Sequence, residues 1–285
     1  MRCADARRAD VRRADARTRR AGLWGPVAMW IALSCAMAAQ GAPGGRAGGP
    51  PPTAKAAARV DFTGNWVSIV SEDWRWRMIT PARGDYANIP INGAARAIAD
   101  TWDPAKDQAA GDACKAYAAP AIMREPGRLQ ITWQDDNTLK IETDAGMQTR
   151  LLRFVVPGNP AQPASGEPSW QGTSIARWES PPRGNAGNSI PLGLGARAGT
   201  DTRTLEVTTT RIRPGYLRKN GVPFSADATV TEYFDLFKDP DGLDWFVVTT
   251  IVRDAQFLNG PWVTTSHFKK EPNGAKWTPT PCAVR

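Results

Sequence analysis

Glu232 is the residue whose type and surroundings most directly suggest proton transfer. Side chains alternate between the two faces of a regular strand, so Val230, Phe234 and Leu236 share its face. A carboxylate among apolar neighbours can act as a general acid or base. Pairing with a nearby arginine, or a position at a strand bulge, would instead make it structural, and these alternatives stay open.

His267 and Tyr233 are the other two candidates for acid–base chemistry. His267 is the only histidine of the chain, and Tyr233 adjoins Glu232. If the three share one cavity, they predict a cofactor-free isomerase, cyclase, hydratase or lyase, because one carboxylate and one histidine or tyrosine are enough to move a proton. The alternative for His267 is a hydrogen-bonded residue of a strand wall.

Tryptophan and arginine alternate from Trp74 to Arg77. On a strand, this alternation directs the indoles to one face and the guanidinium groups to the other. We therefore interpret the stretch either as a wall with tryptophan inside and arginine in solvent, or as a surface that binds an aromatic or anionic molecule. The predicted ligand-binding residues are Trp74, Trp76, Trp133 and Trp245.

Several function classes are disfavoured by composition and by missing motifs. One histidine and four scattered cysteines predict no metal site, and no nucleophile elbow, phosphate loop or dinucleotide fingerprint indicates a cofactor. The net charge is +8, but residues 1–40 hold eight of the 36 basic and three of the 28 acidic residues. The remainder therefore carries 28 minus 25, or +3, and we expect no nucleic-acid partner.

The N-terminal 40 residues are typical of a secretory signal peptide with an atypically long basic region. Arginines precede an apolar run at residues 23–39, which ends in small residues. We expect a periplasmic or secreted protein without a stable membrane span after processing. An uncleaved anchor and a lipoprotein modified at Cys35 are the alternatives.

A Gly/Pro/Ala-rich stretch at residues 41–59 predicts a disordered tether, and residues 60–285 predict a single domain. Cys114 and Cys282 then remain as the two cysteines of the mature protein. In an oxidising compartment they favour a disulfide, with two separate buried thiols as the alternative.

Runs with period-2 hydrophobicity, bounded by turn residues, dominate the domain and predict eight or nine antiparallel strands. So many strands close into a barrel or stack as a sandwich, and we favour the barrel. Helical spacing and an N-cap at Asp103 predict a short helical insert near residues 92–118. The predicted strands span 62–70, 128–133, 138–143, 147–155, 170–178, 204–212, 228–237, 243–252 and 262–269.

Three short motifs add a family resemblance. Gly64-Asn65-Trp66 resembles the Gly-x-Trp opening of the lipocalins, Thr231-Glu232-Tyr233 resembles their Thr-Asp-Tyr motif, and Arg253 follows where an arginine closes their barrel. The resemblance implies an eight-stranded cup with Trp66 packed under Arg253 and a small, largely apolar ligand at the open end. Other stretches are similar to uncharacterised secreted bacterial proteins, which implies no activity.

The sequence thus favours an exported binding protein for a small hydrophobic or aromatic molecule held in a barrel cavity. The enzyme described above is the alternative, and the two differ in whether Glu232 and His267 meet in one cavity. A structural or surface-interaction protein is a third possibility.

Overall fold

A computed structural model describes residues 52–155, 167–179 and 204–284. The predicted signal peptide, Cys35 and the first part of the tether lie outside the described residues. Within them, no helix is both long and apolar enough to cross a bilayer.

Thirteen strands are present in the described residues, and nine of them close into a barrel. Around the barrel the order is β1-β12-β11-β10-β7-β6-β5-β3-β2. The strands are β1 Gly64–Ile69, β2 Arg128–Asp135, β3 Thr138–Thr143, β4 Ala145–Gly146, β5 Thr149–Phe154, β6 Thr173–Trp178, β7 Thr204–Thr210, β8 Gly215–Arg218, β9 Val222–Phe224, β10 Thr229–Lys238, β11 Asp244–Arg253, β12 Trp262–Glu271 and β13 Thr280–Pro281. The predicted barrel is therefore confirmed, with nine strands.

The barrel is mixed, whereas the sequence predicted a purely antiparallel one. β5 and β6 pair in parallel, from Leu152 opposite Ser174 to Phe154 opposite Ala176. Eighteen residues, 155–172, separate β5 from β6, more than the dozen or so that a connection between parallel strands needs. A tight hairpin would have forced the antiparallel arrangement.

Alternate side chains of each barrel strand point inward and form the core. One end of the interior is aromatic, with Phe62 against Phe234 and Phe246 at centroid distances of 6.1 and 5.8 Å. Residues 52–59 lie at this end, where Ala54 is buried and its carbonyl accepts a hydrogen bond from the indole of Trp178 at 3.0 Å. The prediction of disorder as far as residue 59 was therefore wrong, because these contacts fix the last part of the tether.

Four α-helices and one 3₁₀ helix lie between β1 and β2. They are α1 Trp74–Arg77, α2 Gly93–Asp100, α3 Pro104–Ala109, the 3₁₀ helix Ala113–Tyr117, and α4 Ala119–Ile122. The predicted N-cap at Asp103 is present, since its side chain accepts a hydrogen bond from the Ala105 N–H at 3.0 Å. Asn92 caps α2 in the same way, a cap that was not predicted from the sequence. The sequence predicted a strand at Trp74 to Arg77, but these residues form the single helical turn α1. The tryptophans and arginines therefore do not lie on two opposite faces, as they would on a strand.

Trp66 and Arg253 do not meet. Trp66 pairs with Lys270 across β1 and β12, and Lys269 pairs with Trp245 on β11. Arg253 lies eight residues beyond Trp245 (253 minus 245), about 26 Å further along the strand. The ammonium group of Lys270 covers the indole of Trp66 instead, 5.2 Å from the ring. The arginine contact implied by the lipocalin resemblance was therefore wrong.

The predicted disulfide is confirmed. Cys114 and Cys282 are bonded, with their Cα atoms 5.1 Å apart and 168 positions between them in sequence. The bond fastens the 3₁₀ helix to the C-terminal segment, next to the short β4–β13 pair. Disulfides persist in oxidising compartments, so the bond fits an extracellular or periplasmic protein.

Removal of the disulfide by Cys114→Ser with Cys282→Ser should destabilise the fold. Closing a loop of 168 residues is worth about 5 kcal/mol on the chain-entropy model. Urea unfolding should show a large fall in midpoint, and a reductant should lower the midpoint of the natural chain but not that of the variant. Equal midpoints for both proteins without reductant would show that the bond contributes nothing.

Candidate anion-binding site

Glu232 lies inside the barrel and forms an ion pair with Arg150. The pair is bidentate: Nη1 donates to Oε1 at 3.0 Å and Nη2 donates to Oε2 at 2.5 Å. Both side chains are completely buried, so no space the size of a water molecule adjoins either of them. β7 and β6 separate β10 from β5 in the barrel order, so the pair bridges the interior.

Two buried hydroxyl groups adjoin the guanidinium side of this pair. Arg150 Nη2 lies 3.4 Å from the Thr209 hydroxyl, which is hydrogen-bonded to Ser174 at 2.7 Å. Both oxygens of the Glu232 carboxylate thus accept a hydrogen bond from the same guanidinium group. The geometry therefore makes Glu232 one half of a structural pair and leaves no room for a substrate beside it.

His267 lies on the other side of the barrel wall. Its Nδ1 contacts the Glu72 carboxylate at 2.9 Å and the Ser71 hydroxyl at 3.2 Å. A catalytic triad needs the acid on one ring nitrogen and the hydroxyl on the other, whereas here both contact the same nitrogen. Neighbouring Ser266 is buried in the interior, so His267 and Glu232 occupy opposite faces of the wall and do not share a cavity.

The other predicted site residues are dispersed. Tyr233 follows Glu232 and so faces outward, and the Trp245 indole donates a hydrogen bond to Asp239 on the outer wall. Trp133 packs against Phe154 at the aromatic end of the interior. Of the four predicted ligand-binding tryptophans, Trp74 and Trp76 lie together on α1.

A cleft of about 300 Å³ lies beside α1. Three separate segments build it: α1 with the residues that follow it, the turn after α4, and the hairpin of β8 and β9. Its walls contain three arginines and one lysine, Arg77, Arg124, Arg218 and Lys219. We call this feature the arginine cleft.

Arg218 is the unusual member of the cleft. Its residue is only 4% exposed, yet Nε, Nη1 and Nη2 have no hydrogen-bond partner among the described residues. Its contact is the Trp76 indole, whose ring centroid lies 5.0 Å from the guanidinium carbon. The pKa of Arg218 is lowered to about 10, mainly because the group is buried and to a smaller extent because nearby Arg124 repels its charge. A buried polar group without a partner is costly, and a charged one more so.

The other basic residues around the cleft each have a carboxylate partner. Arg218 has none within ion-pair distance in the part of the chain that the structure describes, although Asp73 and Asp85 attract it from farther away. The cleft therefore has one uncompensated positive charge. The pairs are Arg75–Asp85 at 2.8 Å, Arg77–Glu72 at 3.4 Å, Arg124–Asp73 at 3.1 Å and Lys219–Glu125 at 2.6 Å.

Arg124 also has unused hydrogen-bonding capacity. Its Nη1 donates to Asp73, while its Nη2 is buried and has no partner within residues 52–155, 167–179 and 204–284. Arg77 is fixed beside it, because its Nε donates to the Arg124 carbonyl at 2.8 Å. The guanidinium groups of Arg218 and Arg124 thus have donors that are not used by the described residues. Arg77 holds the backbone of Arg124 in place.

Local backbone geometry places these side chains. Asp73 precedes α1 with a φ of 52°, a left-handed conformation that non-glycine residues seldom adopt, and its carbonyl accepts from the N–H groups of Trp76 and Arg77. Gly221 has a φ of 80° and lies against Trp102, where a Cβ atom would come within 2.2 Å of the ring. Asn220-Gly221 is a recognised turn signal that would have predicted this hairpin, and with it the position of Arg218.

The arginine cleft contains groups that recognise anions but none arranged to bind a metal. No set of three or more histidine, cysteine, aspartate or glutamate side chains is suitably grouped for a metal ion in residues 52–155, 167–179 and 204–284. Guanidinium groups bind carboxylates and phosphates through paired N–H donors. The chemistry available in the cleft is therefore anion binding.

Comparison with protein-family profiles, curated proteins and solved structures found no match to this chain. The closed barrel is consistent with a lipocalin-like fold. The resemblance to that family itself rests on the three short sequence motifs.

The Arg150–Glu232 pair predicts a strongly non-additive mutational response. Arg150→Met should cost about 3–5 kcal/mol, because it leaves a buried carboxylate unpaired. Arg150→Met combined with Glu232→Leu should recover most of that loss, since both charges are then gone. Urea unfolding of the two single variants and the double variant measures the coupling, and additive losses would contradict the structural role of the pair.

Proposed function

We propose that the protein is a binding protein for a small organic molecule with a single negative charge, which it holds in the arginine cleft. The observation that carries the proposal is Arg218, a buried guanidinium group whose three nitrogens have no hydrogen-bond partner among the described residues. An anion in the cleft would accept those hydrogen bonds and neutralise the charge. Binding would thus relieve a cost that the free protein bears.

The charge balance of the cleft supports a monoanion over a dianion. Four basic side chains around it are paired with carboxylates, and Arg218 is the remaining positive charge. A carboxylate or a phosphodiester would neutralise it. A phosphomonoester with two charges would leave one in excess, in a region that already contains acidic side chains such as Asp73 and Asp85.

Ligand entry requires a small opening movement. The unpartnered nitrogens of Arg218 have almost no accessible surface, so a side chain of the cleft must move before an anion reaches them. Met78 and Ile79 line the cleft and are 59% and 64% exposed, so a rotation of either side chain would break few contacts. Methionine is unbranched and adapts readily to a changed environment.

The barrel interior is a weaker candidate for the ligand. The acid–base enzyme requires a small molecule to reach Glu232, which is completely buried against Arg150. The apolar ligand requires a cavity, whereas Phe62 and Phe246 are buried against each other in the interior. His267 lies outside the wall and supplies no second catalytic group. These observations favour binding in the arginine cleft over both sequence-based proposals.

We place this function outside the cytoplasm. The Cys114–Cys282 bond supports that assignment, and so does the secretory character of residues 1–40.

The test compares matched charged and neutral probes. Hexanoate and diethyl phosphate should raise the melting temperature of the natural chain and give a saturable calorimetric signal, whereas hexanamide and triethyl phosphate should not. Arg218→Leu should abolish this difference. It should leave the unliganded melting temperature unchanged or raise it by a few degrees, because it removes a buried unpaired charge.

Arg253→Leu is the control, because Arg253 is exposed and lies outside the cleft. It should bind both anions like the natural chain. Absence of anion binding by the natural chain would refute the proposal. So would equal binding by Arg218→Leu, or a large loss of stability in that variant, since either result would give Arg218 a purely structural role.

A further inference from the structure

We propose that the monoanion is the phosphodiester head group of an anionic phospholipid, and that the protein binds it at the surface of a bilayer. The inference rests on the proposed function, since it uses the same arginine cleft. Its additional support is a group of exposed apolar side chains at the mouth of the cleft, formed by Trp74, Met78 and Ile79. We call this group the apolar rim.

The apolar rim is continuous with the cleft. Met78 and Ile79 line the cleft and also face solvent. Trp74 lies one helical turn before Met78, whose N–H donates to the Trp74 carbonyl at 2.9 Å. Trp74 is 62% exposed, although large apolar side chains are commonly buried. Three such residues within six positions form a surface that water solvates poorly.

A bilayer matches both parts of this surface. Its interface accommodates tryptophan, whose ring is apolar and whose N–H is polar, while methionine and isoleucine gain by burial below the head groups. A water-soluble anion would occupy the cleft but leave the apolar rim exposed. A lipid head group would occupy the cleft with the apolar rim in contact with the surrounding lipid.

The charges agree with a phosphodiester. A phospholipid phosphate carries one negative charge, which equals the single uncompensated charge of Arg218. Arg75 lies on the same turn as Trp74, and its side chain is 66% exposed. It is paired with Asp85 at 2.8 Å, so the uncompensated charge remains that of Arg218 alone.

The experiment is vesicle flotation with protein purified from the soluble fraction with its natural N terminus. Vesicles of phosphatidylglycerol and phosphatidylcholine should bind it, and vesicles of phosphatidylcholine alone should not. Trp74→Ala should weaken vesicle binding about tenfold, because it removes the burial of one large side chain. It should not change the affinity for diethyl phosphate, because Trp74 does not line the cleft. Arg218→Leu should abolish both interactions.

Val263→Ser is the matched control, since Val263 is 56% exposed on the outer wall of β12. It should bind vesicles like the natural chain. Three results would overturn the inference. The first is no binding to the anionic vesicles, and the second is vesicle binding that Arg218→Leu leaves intact. The third is a dimer that Trp74→Ala dissociates, because the apolar rim would then bind a second copy of the chain and not a bilayer. If diethyl phosphate binds and vesicles do not, the proposed function stands and the membrane inference fails. If neither binds, both fail.

Discussion

A guanidinium group removed from water must be compensated, and this constraint organises the interior and one side of the molecule. Arg150 is paired inside the barrel with Glu232, so that the charge joins β5 to β10. Arg77 and Arg124 lie at the edge of the barrel and pair with Glu72 and Asp73. Arg218 is also buried, but in the part of the chain that the structure describes its guanidinium group has an aromatic ring beside it and no carboxylate partner. The same residue type is structural where it is compensated and points to a ligand where it is not.

The barrel was predictable because its strands alternate regularly between buried and exposed positions. β3 lies where the pattern predicted it, and β10, β11 and β12 differ from prediction by only one or two residues at their ends. α1 was not predictable in this way, because four alternating residues fit one helical turn as well as a short strand. The parallel β5–β6 pair depends on a long connection whose course the periodicity of the strands does not determine.

The candidate site was far less predictable, because its residues come from distant parts of the sequence. Arg77, Arg124 and Arg218 belong to segments with no shared motif, and only the closed fold brings them together. From its sequence neighbours, Glu232 could be either an acid–base group or a structural residue. Its partner Arg150 lies 82 positions away, so the local sequence could not identify the ion pair. The expected contact of Trp66 with Arg253 failed because short motifs in the correct order do not determine the register of the strands between them.

The central claim is that the Arg218 guanidinium group has no partner until an anion binds. Nuclear magnetic resonance of the arginine Nε–Hε groups tests it most directly, with the Arg218 signal assigned by its absence in Arg218→Leu. During titration with diethyl phosphate, that signal should shift downfield, saturate at one equivalent and exchange more slowly with water, as expected for a new hydrogen bond to an anion. An Arg218 signal that does not move while the probe binds elsewhere, or that does not respond at any concentration, would contradict the account.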